Sequence, residues 1–337
     1  EDYDPRSTLV VPGQPVTRAK FPFIDVHGHQ RGSQSAEALA RLIGEMDEIN
    51  LAVMVNLSGG SSERLATTIR NMEGAYPGRF VTFANVSFNG IGEDGWTERA
   101  TAQFEADVRN GAAGLKIFKN LGMSVRDTQG ASVPVDDPRL DPIWAKAGEL
   151  GVPVLIHTGD PAEFWQPYDA HNERWLELTL RPRRKRNPDT EPSWEGLIAE
   201  QHRMFRKHPG TTFINAHLGW LGHDLGKLGD LLDELPNVNA GLGAVIYEFG
   251  RQPRFAHEWL IEYQDRILMG KDSWNAEEFH TYFRVLETAD DYFPYYRAYH
   301  AFWRMYGLDL PGEVLRKIYY QNALRIIPAI DRSLFPG

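Results

Sequence analysis

Residues 21–29 read FPFIDVHGH, an apolar run that ends in two histidines separated by a single glycine. Aromatic and β-branched residues favour a buried strand, which we place at residues 21–26. In an extended chain, side chains two residues apart project to the same face, so His27 and His29 should point to one side. The run therefore predicts a first strand with two imidazoles at its carboxyl end.

Similar short runs rich in Val, Ile and Phe alternate with stretches of helical period along the chain. This alternation is typical of a parallel sheet covered by helices. The other predicted strands are residues 51–57, 80–86, 113–118, 152–157, 212–217, 238–242 and 267–269. The predicted helices are residues 35–49, 61–75, 96–109, 141–150, 193–208, 225–235 and 254–264. Eight strands with intervening helices predict an α/β fold, a single-domain (β/α)8 TIM barrel, with a doubly wound open sheet as the alternative.

The 337-residue chain has no low-complexity linker that would divide it into domains. We expect an N-terminal extension over residues 1–20 and the barrel over residues 21–330. The longest insertion, about residues 160–192, follows the fifth strand and should lie over the catalytic face. The aromatic stretch 292–306 predicts a packed helix at a subunit interface.

Composition excludes several classes of function. The net charge of -10 argues against nucleic acid as a partner, and the basic run RPRRKR at residues 181–186 is expected to be a solvated loop. The absence of cysteine excludes disulfides and thiolate metal sites. Because no apolar segment approaches the ~20 residues that span a bilayer, we expect a soluble protein without membrane insertion. A start at Glu1 favours export, to the periplasm or outside the cell after signal removal, over a cytoplasmic location.

Other predicted strands also carry metal-binding side chains at their carboxyl ends. The fifth strand ends in His157, the sixth ends in His217, and Asp272 follows the eighth in the sequence GKD. Active sites of (β/α)8 barrels are built from residues at these strand ends. With the pair on the first strand, four imidazoles and one carboxylate should meet at one mouth, a set that suits zinc, manganese or ferrous iron.

Five motifs carry a resemblance to a known family. They are FIDVHGH at 23–29, VLIHTGDP at 154–161, NAHLGW at 215–220, MGKDSW at 269–274 and IYYQNALRII at 318–327. With these motifs the sequence resembles the amidohydrolase superfamily, in its aminocarboxymuconate-semialdehyde decarboxylase-like branch of amidohydrolase-2 type enzymes. The resemblance extends over residues 21–328.

The resemblance implies that His27, His29, His157 and Asp272 bind one divalent metal, with zinc expected ahead of manganese or iron. Such a metal lowers the pKa of a bound water toward ~7. By the same resemblance, Asp272 takes the proton from that water and His217 stabilises charge that develops on a substrate oxygen. Relatives are often dimers, so we expect a homodimer.

Lys116, in the fourth predicted strand, corresponds to the position where binuclear amidohydrolases carry a carboxylated lysine. A carbamate there would bridge two metal ions, and His157 and His217 would then bind the second ion. A buried lysine with an ordinary ion partner is the more frequent case. If the strand register were shifted, Lys119 would be the inward residue instead.

Several aromatic residues should wall a pocket for a small-molecule substrate. Trp165 lies in the long insertion, while Trp220, Tyr247 and Trp274 follow predicted strand ends. Arg251 and Arg254, like the basic run 181–186, could recognise a substrate carboxylate through paired hydrogen bonds, and a solvated face or a subunit contact is equally open. His223 could also line the pocket, although a helix-start or surface role is favoured. The other histidines outside the predicted strand ends are treated as background.

Three functions remain open from the sequence. The first is a metal-dependent hydrolase of a small carboxylated, cyclic or aromatic lactone, ester or amide. Asp25 favours it, because the decarboxylases of the branch often carry Glu two residues before the first histidine. The second is a metal-dependent, non-oxidative decarboxylase of an aromatic or dienoic acid. The third is a non-catalytic barrel that keeps its metal only for structure.

Overall fold

The computed structural model describes residues 7–336, and its sheet follows the predicted order of strands. The strands are β1 Phe23–Gly28, β2 Leu51–Asn56, β3 Phe80–Thr82, β4 Ala84–Asn85, β5 Leu115–Ile117, β6 Val154–Ile156, β7 Phe213–Asn215, β8 Val238–Gly241 and β9 Ile267–Leu268. Each pairs in parallel with the next along the chain, except that β3 and β4 follow one another within the third predicted run. All eight predicted runs therefore contain a strand.

The sheet closes on itself. Across the third run, β3 pairs with β2 and β4 pairs with β5, so the two short strands act as one barrel strand. The seam of the barrel is the place where the first and last strands meet. There the Val26 amide donates to the Met269 carbonyl at 3.0 Å, and the Asp272 amide donates to the His27 carbonyl at 2.8 Å. These bonds join the first strand to the last, so the fold is a (β/α)8 TIM barrel and not an open sheet.

The seven predicted helices are present, together with shorter ones in the loops. The helices are α1 Ala36–Ile49, α2 Ser62–Met72, α3 Trp96–Arg109, α4 Asn120–Met123, α5 Asp141–Glu149, α6 Trp175–Leu180, α7 Trp194–Lys207, α8 Leu225–Glu234, α9 Ile246–Gly250, α10 Pro253–Glu262, α11 Ala276–Glu287, α12 Gly312–Arg316 and α13 Asn322–Ile326. A π-helical turn, Lys317–Gln321, joins the last two. The insertion after β6 holds α6 and short 3-10 turns.

An aromatic cluster fixes β1 against the helices outside the barrel. The ring of Phe23 is fully buried, 5.4 Å from Phe279, 5.5 Å from Phe283 and 6.0 Å from Tyr319, measured between centroids. Burial of one such side chain stabilises a fold by about 1.5–3 kcal/mol. The cluster therefore holds the strand whose carboxyl end carries His27 and His29.

The prediction of a helix over residues 292–306 is wrong. This segment is irregular, and its ends are joined by an antiparallel bridge in which Phe293 and Met305 exchange backbone hydrogen bonds of 3.0 and 2.8 Å. Pro294 disfavours helical geometry in the residue before it. Instead of one helical face, the segment buries Tyr295 and His300. The expected homodimer stays a prediction.

The described residues before β1 differ from the barrel because they have no regular secondary structure. Residues 1–6 of the expected extension lie outside the described residues, and residues 7–22 contain neither helix nor strand. Within residues 7–336, no helix combines the length and apolarity needed to cross a bilayer.

Candidate metal centre and substrate cavity

Three side chains converge at the seam of the barrel. His27 lies in β1, His29 follows it directly, and Asp272 follows β9. Each offers one ligand atom, and the three atoms lie within 4.8 Å of one another. Asp272 has a φ of 88°, a strained value for a residue other than glycine, and its backbone amide is held by the His27 carbonyl. The closure of the barrel thus places the carboxylate beside the two imidazoles.

A hydrogen bond with Ser58 orients the ring of His29. Its Nδ1 atom is 2.9 Å from the Ser58 hydroxyl, while its Nε2 atom lies 3.5 Å from Asp272 Oδ1. Metal-binding histidines usually have such a hydrogen-bond partner on the ring nitrogen that does not face the ion. The arrangement leaves Nε2 facing the carboxylate, where a shared cation would sit.

Asp25 supports the centre through the backbone. Its Oδ1 atom accepts hydrogen bonds from the backbone amides of His27 at 2.9 Å and Lys271 at 3.1 Å. Burial raises the pKa of the Asp25 carboxyl to about 6, while these two hydrogen bonds act in the opposite direction. Asp25 therefore fixes the two chain segments that carry the ligands.

His157 and His217 form a second pair beside this set. His157 Nε2 lies 3.1 Å from the Gly159 carbonyl, and His217 Nδ1 lies 2.6 Å from the Gly243 carbonyl. Because carbonyl oxygens only accept, these outer nitrogens carry the protons of the neutral rings. The inner nitrogens, His217 Nε2 and His157 Nδ1, then face each other with lone pairs at 3.2 Å. A proton or a cation held between the two nitrogens would remove the repulsion between their lone pairs.

Burial keeps these imidazoles neutral. It lowers the pKa of His27 and His157 well below the usual value, and neighbouring positive charges, above all Lys116 for His27 and His217 for His157, add to the effect. Burial also lowers the pKa of His217 and, to about 4, that of His29, against the opposing effect of Asp272. Neutral imidazole is the form that binds metals.

A strained turn after β7 presents His217 and Trp220. Residues 217–220 all have left-handed backbone angles, with φ between 56° and 61°. Gly219 is needed there, because a Cβ atom would lie 2.2 Å from the side-chain amide of Asn215. The turn stacks the two rings at 4.7 Å with an interplanar angle of 19°. Strain of this kind is common at functional sites.

Lys116 is the inward residue of β5, and Lys119 is not. The Lys116 ammonium is buried and has no hydrogen-bond partner within residues 7–336. Burial lowers its pKa to about 7, against the opposing charge of Asp272. Lys119 instead pairs with Asp160 at 2.6 Å.

The donor set fits one divalent cation. Two imidazoles and a carboxylate already lie together, as catalytic zinc sites require. Within the described residues, His27 Nδ1 is buried without a hydrogen-bond partner, as is the Lys116 amine. Such unpartnered buried atoms are costly unless another group completes them. His157 lies at the edge of this set, paired with His217, so its role as a fourth ligand stays a prediction.

A cavity of about 140 Å³ opens beside the centre. Its lining comprises Lys119, His157, Asp160, Pro161, Phe164, Arg174, Glu177, Arg184, His217, Trp220, Ala244, Tyr247, Asp272, Arg297 and His300. Trp220 and Tyr247 thus lie in the lining of the cavity, and their role in binding substrate stays a prediction. Its size suits a small molecule.

The other three residues predicted to bind substrate lie outside this lining. The Trp165 indole donates to the Pro192 carbonyl at 2.9 Å, and the Trp274 indole donates to Glu45 at 2.7 Å. Arg251 pairs with Glu173 at 2.8 Å and with Glu248 at 2.7 Å. Their roles toward substrate stay predictions.

Sequence reasoning missed most of the charged wall. Arg174, Glu177 and Arg297 were not singled out, and His300 was treated as background. Arg184 belongs to the basic run 181–186, for which a solvated loop and recognition of a substrate carboxylate were both open, and it binds the buried Glu177. The sequence offered a weak sign, since acidic residues such as Glu173 and Glu177 precede the basic run 181–186 in the insertion, but the pairing depends on how that loop folds back.

The comparisons with known proteins agree with this geometry. The family model described as Amidohydrolase matches residues 19–328. The chain therefore belongs to the amidohydrolase family, and the resemblance drawn from its motifs is confirmed. It is a family of metal-dependent enzymes. No curated protein sequence matches the chain.

Solved structures share the fold at low sequence identity. The 2,6-dihydroxybenzoate decarboxylase from Rhizobium is 16% identical with a TM-score of 0.57, over 91% of this chain and 99% of that one. A dihydroxybenzoic acid decarboxylase from Polaromonas, with bound manganese and the inhibitor 2-nitroresorcinol, is 15% identical with a TM-score of 0.57, over 93% and 99%. The 4-oxalomesaconate hydratase from Rhodopseudomonas palustris is 15% identical with a TM-score of 0.55, over 93% and 97%.

Proposed function

We propose that the protein is a metal-dependent hydrolase of a small lactone, ester or amide. The observation that carries the proposal is the convergence of ligand atoms from His27, His29 and Asp272 within 4.8 Å at the barrel seam. Zinc is the expected ion, because imidazole and carboxylate ligands suit it, and manganese or iron would also fit.

The chain's own residues have defined tasks in such a reaction. A divalent metal at these ligands would supply an acidified water and polarise a substrate carbonyl. Asp272 would accept the proton of the attacking water, because its carboxylate lies at the centre and faces His29. Where the His157 and His217 pair holds one additional proton between its inner nitrogens, His217 Nε2 would donate a hydrogen bond to the oxygen that gains charge. Burial of His27 and His217 would keep bulk water away.

Lys116 offers a second form of the same centre. Its buried amine, with a pKa lowered to about 7, is partly neutral at physiological pH. A neutral amine can attack carbon dioxide, form an N–C bond and release one proton, which gives a carbamate. Such a carbamate would accommodate a second ion, with the His157 and His217 pair as its nitrogen ligands. The facing lone pairs of that pair support this possibility.

Decarboxylation is the second candidate reaction. Two of the solved structures with this fold are dihydroxybenzoate decarboxylases, and the third is a hydratase. In a decarboxylation, a proton shared by His157 and His217 would be transferred to the substrate carbon that loses carbon dioxide. A third possibility is a binding barrel that uses its metal only for structure.

Turnover by the metal-loaded protein tests the proposal. We would supply lactones, esters, amides and hydroxybenzoates, and follow acid release and carbon dioxide separately. Acid release without carbon dioxide is expected, with loss in Asp272→Asn and retention in the exposed control His171→Ala. Carbon dioxide from a hydroxybenzoate would instead favour the decarboxylase. Ligand binding that Asp272→Asn leaves unchanged, without turnover of any compound, would favour the binding barrel.

A further inference from the structure

The cavity beside the metal centre has an unusually charged wall. Four cationic and three anionic side chains line it. The anions are Asp160, Glu177 and Asp272, and Asp272 belongs to the metal centre. With a divalent cation in place, positive charge would exceed negative charge along the lining. A cavity of this kind attracts an anionic ligand.

One arginine of the wall is bound to the protein through both of its terminal nitrogens, Nη1 and Nη2. Arg174 is 3% exposed and donates to the His300 carbonyl at 2.7 Å, to Tyr247 at 2.5 Å and to Glu177 at 3.3 Å. Its guanidinium also lies 4.7 Å from the centroid of the Tyr247 ring. Arg174 therefore serves to fix the insertion to the barrel.

Two other arginines keep donors available. Within residues 7–336, Arg184 uses only Nη1, toward Glu177 and His300, and its side chain is 41% exposed. Arg297 uses Nε and Nη2, toward Glu278 and Ser273, which leaves Nη1 without a partner in the same residues. Both line the cavity. Unused guanidinium donors are suited to a carboxylate, which accepts two parallel hydrogen bonds.

The pKa of His300 is affected by the charges of the surrounding arginines. Its ring is mostly buried, with Nε2 3.4 Å from Arg184 and 3.5 Å from Glu177. Burial, followed by the charges of Arg174, Arg184 and Arg297, lowers the pKa of His300 to about 3. Beside the larger effect of burial, the three arginines therefore each act on His300 as positive charges, in the direction that favours an anion in the cavity.

We propose that the substrate carries a carboxylate apart from its reacting group, and that Arg184 and Arg297 bind this carboxylate. The inference rests on the proposed function, because it places the reacting group at the metal centre of the same cavity. It makes the substrate a short acid, since the cavity measures about 140 Å³. Arg184 and Arg297 are thus residues that determine specificity.

Binding of two matched probes tests the proposal. Succinate and butyrate have similar length, but succinate carries a second carboxylate in place of a methyl group. We would measure both affinities by calorimetry on the zinc-loaded protein, in wild type, Arg184→Met and Arg297→Met. The matched control is Arg183→Met, an exposed arginine of the same basic run. General damage to the cavity would weaken both probes alike, so the ratio of the two affinities is the informative quantity.

The ratio of succinate to butyrate affinity is expected to fall about ten-fold in Arg184→Met and in Arg297→Met, the size of one charge-assisted hydrogen bond. It should stay unchanged in Arg183→Met. An unchanged ratio in both cavity variants would overturn the proposal, as would an equal fall in the control.

The same titrations on metal-free protein separate this inference from the proposed function. If zinc fails to bind but the succinate preference depends on Arg184 and Arg297, the carboxylate site stands and the metal-dependent function fails. If zinc binds and turnover occurs but the preference is independent of both arginines, the function stands and the carboxylate site fails.

Discussion

His29 Nε2 lies 3.5 Å from Asp272 Oδ1, although the first residue follows the first barrel strand and the second follows the last. The contact exists because the barrel closes there, through the hydrogen bond from the Asp272 amide to the His27 carbonyl. Folding and assembly of the metal centre are therefore one event, since the seam that completes the sheet also brings the ligands together.

Asp272→Asn should abolish catalysis without unfolding the protein. Asparagine has the same shape as aspartate and tolerates the positive φ of 88° at this position better than most residues. Loss of the proton acceptor should lower turnover by about 10²- to 10⁴-fold. Steady-state kinetics on the active substrate class and a thermal melt check this, and turnover within two-fold of wild type, on the order of 0.4 kcal/mol, would remove Asp272 from the mechanism.

Gly243→Ala should weaken metal binding. A Cβ atom at this position would lie 2.7 Å from His27 Nδ1 and 3.5 Å from His217 Nδ1, so the His27 ring must move. A change in the groups that orient a metal-binding side chain typically lowers the metal affinity by about 10- to 100-fold. Competition with a zinc-binding dye measures the change.

Gly44→Ala is the matched control for this substitution. Gly44 lies inside α1, and a Cβ atom there meets nothing within 4 Å. We expect unchanged metal affinity and a gain in stability of up to about 1 kcal/mol, because alanine favours the helix. Equal effects of the two variants on zinc affinity would show that Gly243 has no special relation to His27.

The stability of the fold should decline in mild acid, and His202 should account for part of the decline. Burial, with help from Arg206 and against Glu234, lowers the pKa of this histidine from 6.5 to about 4. Between these values the unfolded chain binds the proton and the folded chain does not, so the free energy of unfolding falls as the pH drops from about 6.5 to about 4. The loss should be on the order of 2 kcal/mol.

His202→Phe should reduce the slope of this part of the pH profile, as measured by urea unfolding at several pH values. The exposed His171→Phe is the matched control and should keep the wild-type slope. If His202→Phe retains the full slope, other groups account for the acid sensitivity.

Much of the fold could be predicted because its strands are buried on both faces. Runs such as residues 51–57 and 152–157 are apolar, rich in β-branched residues and flanked by segments with helical periodicity. The sequence pattern alone therefore located them. The positions of His157, His217 and Asp272 followed, since strand ends in a barrel share one mouth. Local sequence was enough for these features.

Features that depend on loops packing against one another could not be predicted. The aromatic stretch 292–306 is dense in ring side chains but has no helical period, and Pro294 interrupts it. The ion pair between Arg184 and Glu177 depends on the fold of the insertion after β6. Strand or helix periodicity in the sequence does not predict how that insertion folds. The sequence raised the basic run 181–186 as a candidate for binding a substrate carboxylate, but the contact of Arg184 with Glu177 and the place of Arg297 in the same cavity lining required the structure.

The most direct test is the metal content per chain, measured by elemental analysis on protein purified without chelator or nickel affinity resin. We expect about one equivalent of zinc or manganese in wild type, and its loss in His27→Ala, His29→Ala with the fold retained. About two equivalents would add the carboxylated Lys116 form to the centre. No bound metal in wild type, or turnover that a chelator leaves unchanged, would contradict the account.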